Sequence, residues 1–343
     1  YCIYDYMRGR LPKIAITMGD PTGIGPEICI KALRDPKIYE QCNPFIIGDR
    51  NALEIYVEDD MDIEEVKEIS SISPSPEKLL LFKRSQLSKG DLRPGNPNIQ
   101  ASKAMVEYIR CGVELAIKKE IDAIVTCPIS KEWMRKSWFP FDGHTPYISH
   151  LCNSKEYVMM LAGEKLKITL VTIHCSLKDA IRGLTVEKIF KTLHITNRAL
   201  ISDFSIPRPK IAVCGVNPHA GEGGLYGNEE KEIIAPSVEL AQREGMDVSG
   251  PYPSDTIFFR AIQGEFDCVV CMYHDQGLIP VKLLYFKDAV NITLGLPIVR
   301  TSVDHGTAYD IAGKGIADPS SLKSALSMAA SISINRGYVQ KCA

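Results

Sequence analysis

Long apolar runs are missing from this chain. None of its 343 residues belongs to a stretch near the ~20 apolar residues that a membrane-spanning helix needs. A charge excess is missing too. Forty Lys and Arg face 42 Asp and Glu, for a net charge of −2. That leaves no basic field for nucleic acid and no polybasic segment for an anionic membrane. The first ten residues, YCIYDYMRGR, lack the apolar core of a signal peptide and are set aside from the fold. Eleven cysteines are scattered without a pairing rhythm, which suits a reducing cytoplasm better than a disulfide scaffold. Two of them, Cys268 and Cys271, form a C-x-x-C inside an apolar run. Residues three apart on a strand point to opposite faces, so both read as small core hydrophobes. No G-x-G-x-x-G and no H-E-x-x-H occurs, so neither a Rossmann fingerprint nor a helical zinc motif is present. There is no internal repeat, which excludes a solenoid.

What is present is alternation. The composition is 45% hydrophobic, enough for a sizeable core. Length predicts about two domains at roughly 150 residues each. The segments KIAITMGD, PFIIGD, DAIVTCP, KITLVTIHC, KIAVCGVNPH and DCVVCMYHD read as strands apolar on both faces, as buried parallel strands are. Amphipathic helical stretches separate them, among them SKAMVEYIRCGVELAIKKE and NEEKEIIAPSVELAQREG. The pattern predicts an α/β protein with largely parallel sheets.

In such sheets ligands bind beyond the carboxyl ends of the strands. Several predicted strands end in reactive side chains. KITLVTI runs into His174, KIAVCGV into Asn217-Pro218-His219, and CVVCMY into His274. Three of the seven histidines thus fall just past a strand. One such histidine is ordinarily a hydrogen-bonded loop residue. Three in equivalent positions converge if their strands are neighbours, and neutral imidazoles suit a divalent transition metal. Asp275, beside His274, then serves as an orienting group or a further ligand. The glycine-rich NPHAGEGGLYGNEE, residues 217–230 with Gly221, Gly223 and Gly224, reads either as a flexible loop or as a cradle for an anion or nucleotide phosphate. Residues 290–322 hold Asn291, Arg300, His305, Gly306 and Asp310 among many glycines. A fixed guanidinium there suits bidentate binding of carboxylate or phosphate. His144 and Thr145 lie in a loop before a helix.

Six blocks, TMGDPTGIGPEI, GHT, NPHAGEGGLYGNEE, GPYPSDTIF, YHDQGLIPVK and VNITLGLPIVRTSVDHGTAYDIAGKGIADPSSL, stand in one order. Together they resemble the 4-hydroxythreonine-4-phosphate dehydrogenase family and its D-threonate and D-erythronate 4-phosphate dehydrogenase paralogues, from about residue 12 to 335. HGTAYDIAGKGIADP also resembles the adenosine-side loop of isopropylmalate and isocitrate dehydrogenases. The resemblance implies two α/β/α domains, 11–135 with 295–343 and 136–294, and an active site in the cleft between them. It implies a homodimer whose shared metal site (Zn, Mg or Co) is held by His174, His219 and His274 across the interface. It implies substrate contacts from His144, Thr145, Lys282, Asn291 and Arg300. NAD or NADP would bind without a Rossmann fingerprint, with Gly221, Gly223, Gly224, His305, Gly306 and Asp310 as candidate contacts. The implied reaction is oxidation of a phosphorylated hydroxy acid at its secondary alcohol, followed by decarboxylation. Asp255 and Lys282 are candidate general bases, with Asp275 in support. Three positions depart from the family pattern. Pro146 follows Gly143-His144-Thr145 where an acid is usual. Ser130 precedes Lys131 where Asn or His is common. Cys175-Ser176 follows His174 in place of a pair ending in Pro. These departures bear on the substrate. A zinc hydrolase would need a general base and no nucleotide pocket, and a ligand sensor on the same fold would be expected to lose the histidines or Lys282; neither fits the residues as well.

Overall fold

A computed structural model describes residues 10–58 and 61–342. The first nine residues, set aside above, lie outside the described ones. Twelve strands are described: β1 (Lys13–Thr17), β2 (Asn43–Asp49), β3 (Asp62–Glu65), β4 (Lys78–Ser85), β5 (Ala123–Thr126), β6 (Val158–Ala162), β7 (Lys167–Leu170), β8 (Lys210–Cys214), β9 (Asp247–Tyr252), β10 (Cys268–Cys271), β11 (Val290–Leu294) and β12 (Val299–Ser302). The chain divides into two compact units. One runs to Glu156 and includes Leu296–Ile334; the other comprises Tyr157–Gly295 and continues from Asn335. The resemblance places the first crossing at 135/136 instead. The later division follows from helix His144–Leu151, which packs on helix Ile99–Ile117 of the first unit.

The first unit orders its strands β3-β4-β2-β1-β5-β12, and all five neighbouring pairs are parallel. Parallel neighbours need crossovers, and helices supply them. Helix Ile99–Ile117, which joins β4 to β5, is the longest of these crossovers. Its cap is Asn98, whose side chain accepts from Ala101 N–H at 2.9 Å. It buries Met105, Tyr108, Ile109 and Val113 against the sheet, and burial of each large apolar side chain is worth roughly 1.5–3 kcal/mol. Helix Gly25–Leu33 approaches β1 so closely that a Cβ on Gly25 would lie 2.1 Å from the Met18 carbonyl oxygen, so only glycine fits there.

The second unit orders its strands β11-β6-β7-β10-β8-β9. Here β7, β10, β8 and β9 are parallel, while β6 runs antiparallel to both of its neighbours. The fold is thus α/β with largely parallel strands, as the alternation predicts. All six predicted strands form. β3, whose sequence is the acidic DIEE, and the Gly-Pro-containing β9 carry no apolar run to announce them. The core of this unit gathers Ile168, Leu170, Ala212, Val269, Leu278 and Val281. Cys268 and Cys271 are buried free thiols in β10. Among the described residues, no helix is long and apolar enough to cross a membrane.

Candidate active site

β10 lies between β7 and β8, with all three parallel. Their carboxyl ends therefore emerge side by side and carry His174, His274 and His219. The rings of His174 and His274 stand 5.9 Å apart, centroid to centroid, tilted by 41°. His274 Nδ1 is 2.7 Å from Asp275 Oδ1. With Nδ1–H donated to that carboxylate, Nε2 keeps its lone pair for a ligand. His174, Tyr273, His274 and Asp275 help line a cavity of about 470 Å³, together with Cys175, Ser176 and Leu177. Ser176 accepts from Asp179 N–H at 3.2 Å and caps helix Leu177–Arg182. That gives one departure from the family pattern a local reason.

His219 behaves differently. Its ring lies 6.2 Å from that of Tyr226. Among the described residues, no three His, Cys, Asp or Glu side chains converge on one point. The structure thus brings two of the three expected histidines together and holds the third on the adjoining strand end. Imidazoles with an orienting carboxylate are a chemically suitable donor set for a divalent metal, so the residues fit the group.

The loop carrying His219 is left-handed over five successive residues. His219, Ala220, Gly221, Glu222 and Gly223 have φ of 51°, 51°, 80°, 40° and 67°. Each non-glycine residue held there costs roughly 1–2 kcal/mol, so other contacts must over-determine the loop. Glu230 anchors the residues that lead into it. Its buried carboxylate accepts from the N–H of Val216 at 2.6 Å and of Asn217 at 2.7 Å, and from Asn217 Nδ2 at 2.9 Å. Burial would raise this carboxyl, but the hydrogen bonds from Asn217 and Val216 outweigh it and hold it below its ordinary range. Gln276 is buried beside His274 and ties neighbouring strand ends together. Neither residue stood out in the sequence. Glu230 reads there as one acid in a helix's first turn, and Gln276 as a neighbour of a more conspicuous pair.

The remaining candidates in this unit are spread over three elements. Lys282 lies on helix His274–Leu284, with its Nζ 5.8 Å from the Phe286 ring centroid. Asn291, on β11, keeps a buried Oδ1 with no hydrogen-bond partner. Asp255 is exposed just before helix Ile257–Ile262.

The first unit holds His144, Thr145 and Arg300. Arg300 sits on β12, 3% exposed, and its Nη2 donates to Thr126 Oγ1 at 2.8 Å on neighbouring β5. Burial lowers its pKa to about 9, so it is still a cation at neutral pH. His144 begins helix His144–Leu151. Its Nε2 is buried without a hydrogen-bond partner. Burial, helped by the positive charges of Arg300 and Lys131, drives its pKa well below 6.5. A neutral imidazole with an open nitrogen beside a buried guanidinium is suited to an anionic, hydrogen-bonding ligand. Pro146 falls in the first turn of this helix, where a missing N–H costs no intrahelical bond. Ser130 accepts from Trp133 N–H at 3.3 Å and caps helix Lys131–Lys136.

The glycine loop at 19–25 and the segment after β12 are locked together. Tyr309 donates to Asp20 Oδ2 at 2.6 Å, and Ile24 N–H to the Thr307 carbonyl at 3.0 Å. Buried Glu27 accepts from Lys31 at 2.7 Å and from Ala317 N–H at 2.8 Å. His305, Gly306 and Asp310 are exposed on this anchored segment. Gly221, Gly223 and Gly224 belong to the other unit.

Known proteins match this chain along most of its length. A family model described as pyridoxal phosphate biosynthetic protein PdxA matches residues 40–329. A 4-hydroxythreonine-4-phosphate dehydrogenase of Desulforapulum autotrophicum is 48% identical, covering 94% of this chain and 96% of its own. A D-threonate 4-phosphate dehydrogenase of Cupriavidus necator is 43% identical over 96% of this chain and all (100%) of its own. A crystal structure of the Klebsiella pneumoniae 4-hydroxythreonine-4-phosphate dehydrogenase superposes with a TM-score of 0.87 at 39% identity, covering 94% of this chain and 99% of that one. With its strand-end histidines, buried Arg300–Thr126 pair and near full-length match, the chain belongs to the PdxA family of pyridoxal phosphate biosynthetic proteins.

Proposed function

We propose that this protein is a metal-dependent, NAD- or NADP-linked dehydrogenase. Its substrate is 4-phosphohydroxy-L-threonine, oxidised at the secondary alcohol and then decarboxylated to 3-amino-2-oxopropyl phosphate. The observation that carries the reading is the emergence of three histidines from three adjacent parallel strand ends, in a chain 48% identical to a dehydrogenase of that name.

His174, His219 and His274 hold the divalent metal, which supplies Lewis-acid stabilisation of negative charge developing on the reacting oxygen. The nicotinamide supplies the hydride acceptor. The chain's own side chains do the rest. Asp275 fixes the tautomer of His274. Arg300, cationic and buried, takes an anionic end of the substrate. His144, neutral through its burial, and Thr145 add hydrogen bonds. Asn291 offers its buried Oδ1 to a donor. Lys282 or Asp255 accepts the alcohol proton. Gly221, Gly223, Gly224, His305, Gly306 and Asp310 contact the cofactor. Ile279, Leu283 and Phe286 are 66%, 83% and 77% exposed around Lys282. An apolar face of this kind beside the site favours a covering partner, here a second copy that completes the histidine set.

A D-threonate or D-erythronate 4-phosphate substrate is the second reading, favoured by the relative from Cupriavidus necator. The test is metal-dependent reduction of NAD and NADP by purified protein with each of the three phosphates. The expected result is highest kcat/KM for the amino acid phosphate. Preference for a sugar-acid phosphate selects the second reading. Absence of turnover on all three by metal-loaded protein refutes both.

A further inference from the structure

We infer that Gln276 and Glu230 are positioning residues for the strand-end histidines. The inference rests on the proposal that those histidines hold a divalent metal. A single chain of hydrogen bonds runs beneath all three. Thr172, two residues before His174, donates through Oγ1 to the Met272 carbonyl at 2.7 Å. Met272, two residues before His274, donates its N–H to Gln276 Oε1 at 2.6 Å. Gln276 Nε2 donates to the Gly215 carbonyl at 2.7 Å and to Ser254 Oγ at 2.8 Å. Ser254 in turn donates to the same carbonyl at 2.9 Å. The next two N–H groups, of Val216 and Asn217, point at Glu230 Oε1 at 2.6 and 2.7 Å.

Both side chains are buried, and each of their four polar atoms is engaged by this chain. Gln276 therefore fixes the end of β10 against the end of β8. Glu230 fixes the residues leading into the left-handed loop of His219. It also packs under that loop, since a Cβ on Gly221 would lie 2.7 Å from Glu230 Oε2. Histidines that meet a ligand from separate strand ends have no chain connection to align them. Their geometry is set by whatever holds each backbone, and here that is the Thr172 hydroxyl, the Gln276 amide and the Glu230 carboxylate. Supporting groups of a metal ligand typically contribute about 10–100-fold in metal affinity or activity.

Glu230→Gln keeps the size of the side chain and an oxygen for Val216 and Asn217, but turns an NH2 toward Asn217 Nδ2. Gln276→Glu keeps the acceptor for Met272 N–H and removes the donor to Gly215. Each full-length variant is titrated with Co2+, followed by its visible absorption, and with Zn2+ by equilibrium dialysis. Thermal melting of the metal-free protein is recorded alongside. The expected result is metal affinity weakened by about 10–100-fold, an altered Co2+ spectrum, and kcat partly restored by raising the metal concentration. A lowered melt with wild-type Co2+ affinity and spectrum overturns the inference and leaves both residues as ordinary stabilisers. His219→Ala is the control. If it binds Co2+ like wild type, the metal reading itself fails. If it loses Co2+ while the two variants do not, only the positioning role fails. Should Glu230→Gln and Gln276→Glu not fold, Ser254→Ala, which removes one hydroxyl of the same chain, is judged by the same criteria. Failure of all three to fold assigns the network to stability and overturns the inference as well.

Discussion

Replacing His144 by asparagine should flatten the acid limb of the first unit's stability. His144 is held neutral in the fold by burial, by Arg300 and by Lys131. Unfolding releases it to an ordinary value of 6.5. Below 6.5 the unfolded chain binds a proton that the folded one does not, so stability falls as pH falls. The loss begins near the unfolded value and continues down to the depressed folded one. Between pH 7.5 and 5.5 it amounts to roughly 1 kcal/mol from this one side chain. Both tryptophans, Trp133 and Trp138, lie in this unit on or just after helix Lys131–Lys136, so their fluorescence reports its urea unfolding. The double difference, wild type against His144→Asn at the two pH values, cancels the other histidines. A wild type that loses no more stability than the variant would show that the fold does not hold His144 neutral. So would an imidazole titration of His144 centred near 6.5.

Arg300→Met should raise KM for a phosphorylated substrate by roughly 10- to 150-fold, the equivalent of a lost charged hydrogen bond, while the melting temperature changes little; an unchanged KM would place the substrate's anion elsewhere. Gly25→Ala should destabilise the first unit by at least ~1–3 kcal/mol, because its Cβ would meet the Met18 carbonyl at 2.1 Å; a wild-type urea midpoint would show that the helix can shift at no cost. Leu283→Asp should convert a dimer to monomer in light scattering and lower bound metal in the same sample. Retention of both would remove this face from the proposed interface.

Much of this protein was legible from residue order. The alternation of β-branched runs with amphipathic stretches identified an α/β fold, because buried parallel strands must be apolar on both faces. All six predicted strands formed. The histidines were found for the same reason: a polar residue at the end of an apolar strand is where the chain leaves the core. β6 was not found, since its short VMMLA run carries no sign of direction, and its antiparallel pairing is set by β7 and β11. Residue order alone did not decide which strands are neighbours. That β10 sits between β7 and β8 is a matter of crossovers and packing, and it is what places His174 beside His274. It did not decide that His219 lies beside Tyr226, because the residues leading into its left-handed loop are held by a distant carboxylate, at Glu230. Nor did it decide that Arg300 is buried against Thr126, a contact across 174 residues. Composition and periodicity report what each segment must bury. Only the tertiary structure decides which polar groups meet once the burial is done, because those meetings are long-range and each is fixed by its neighbours' hydrogen bonds.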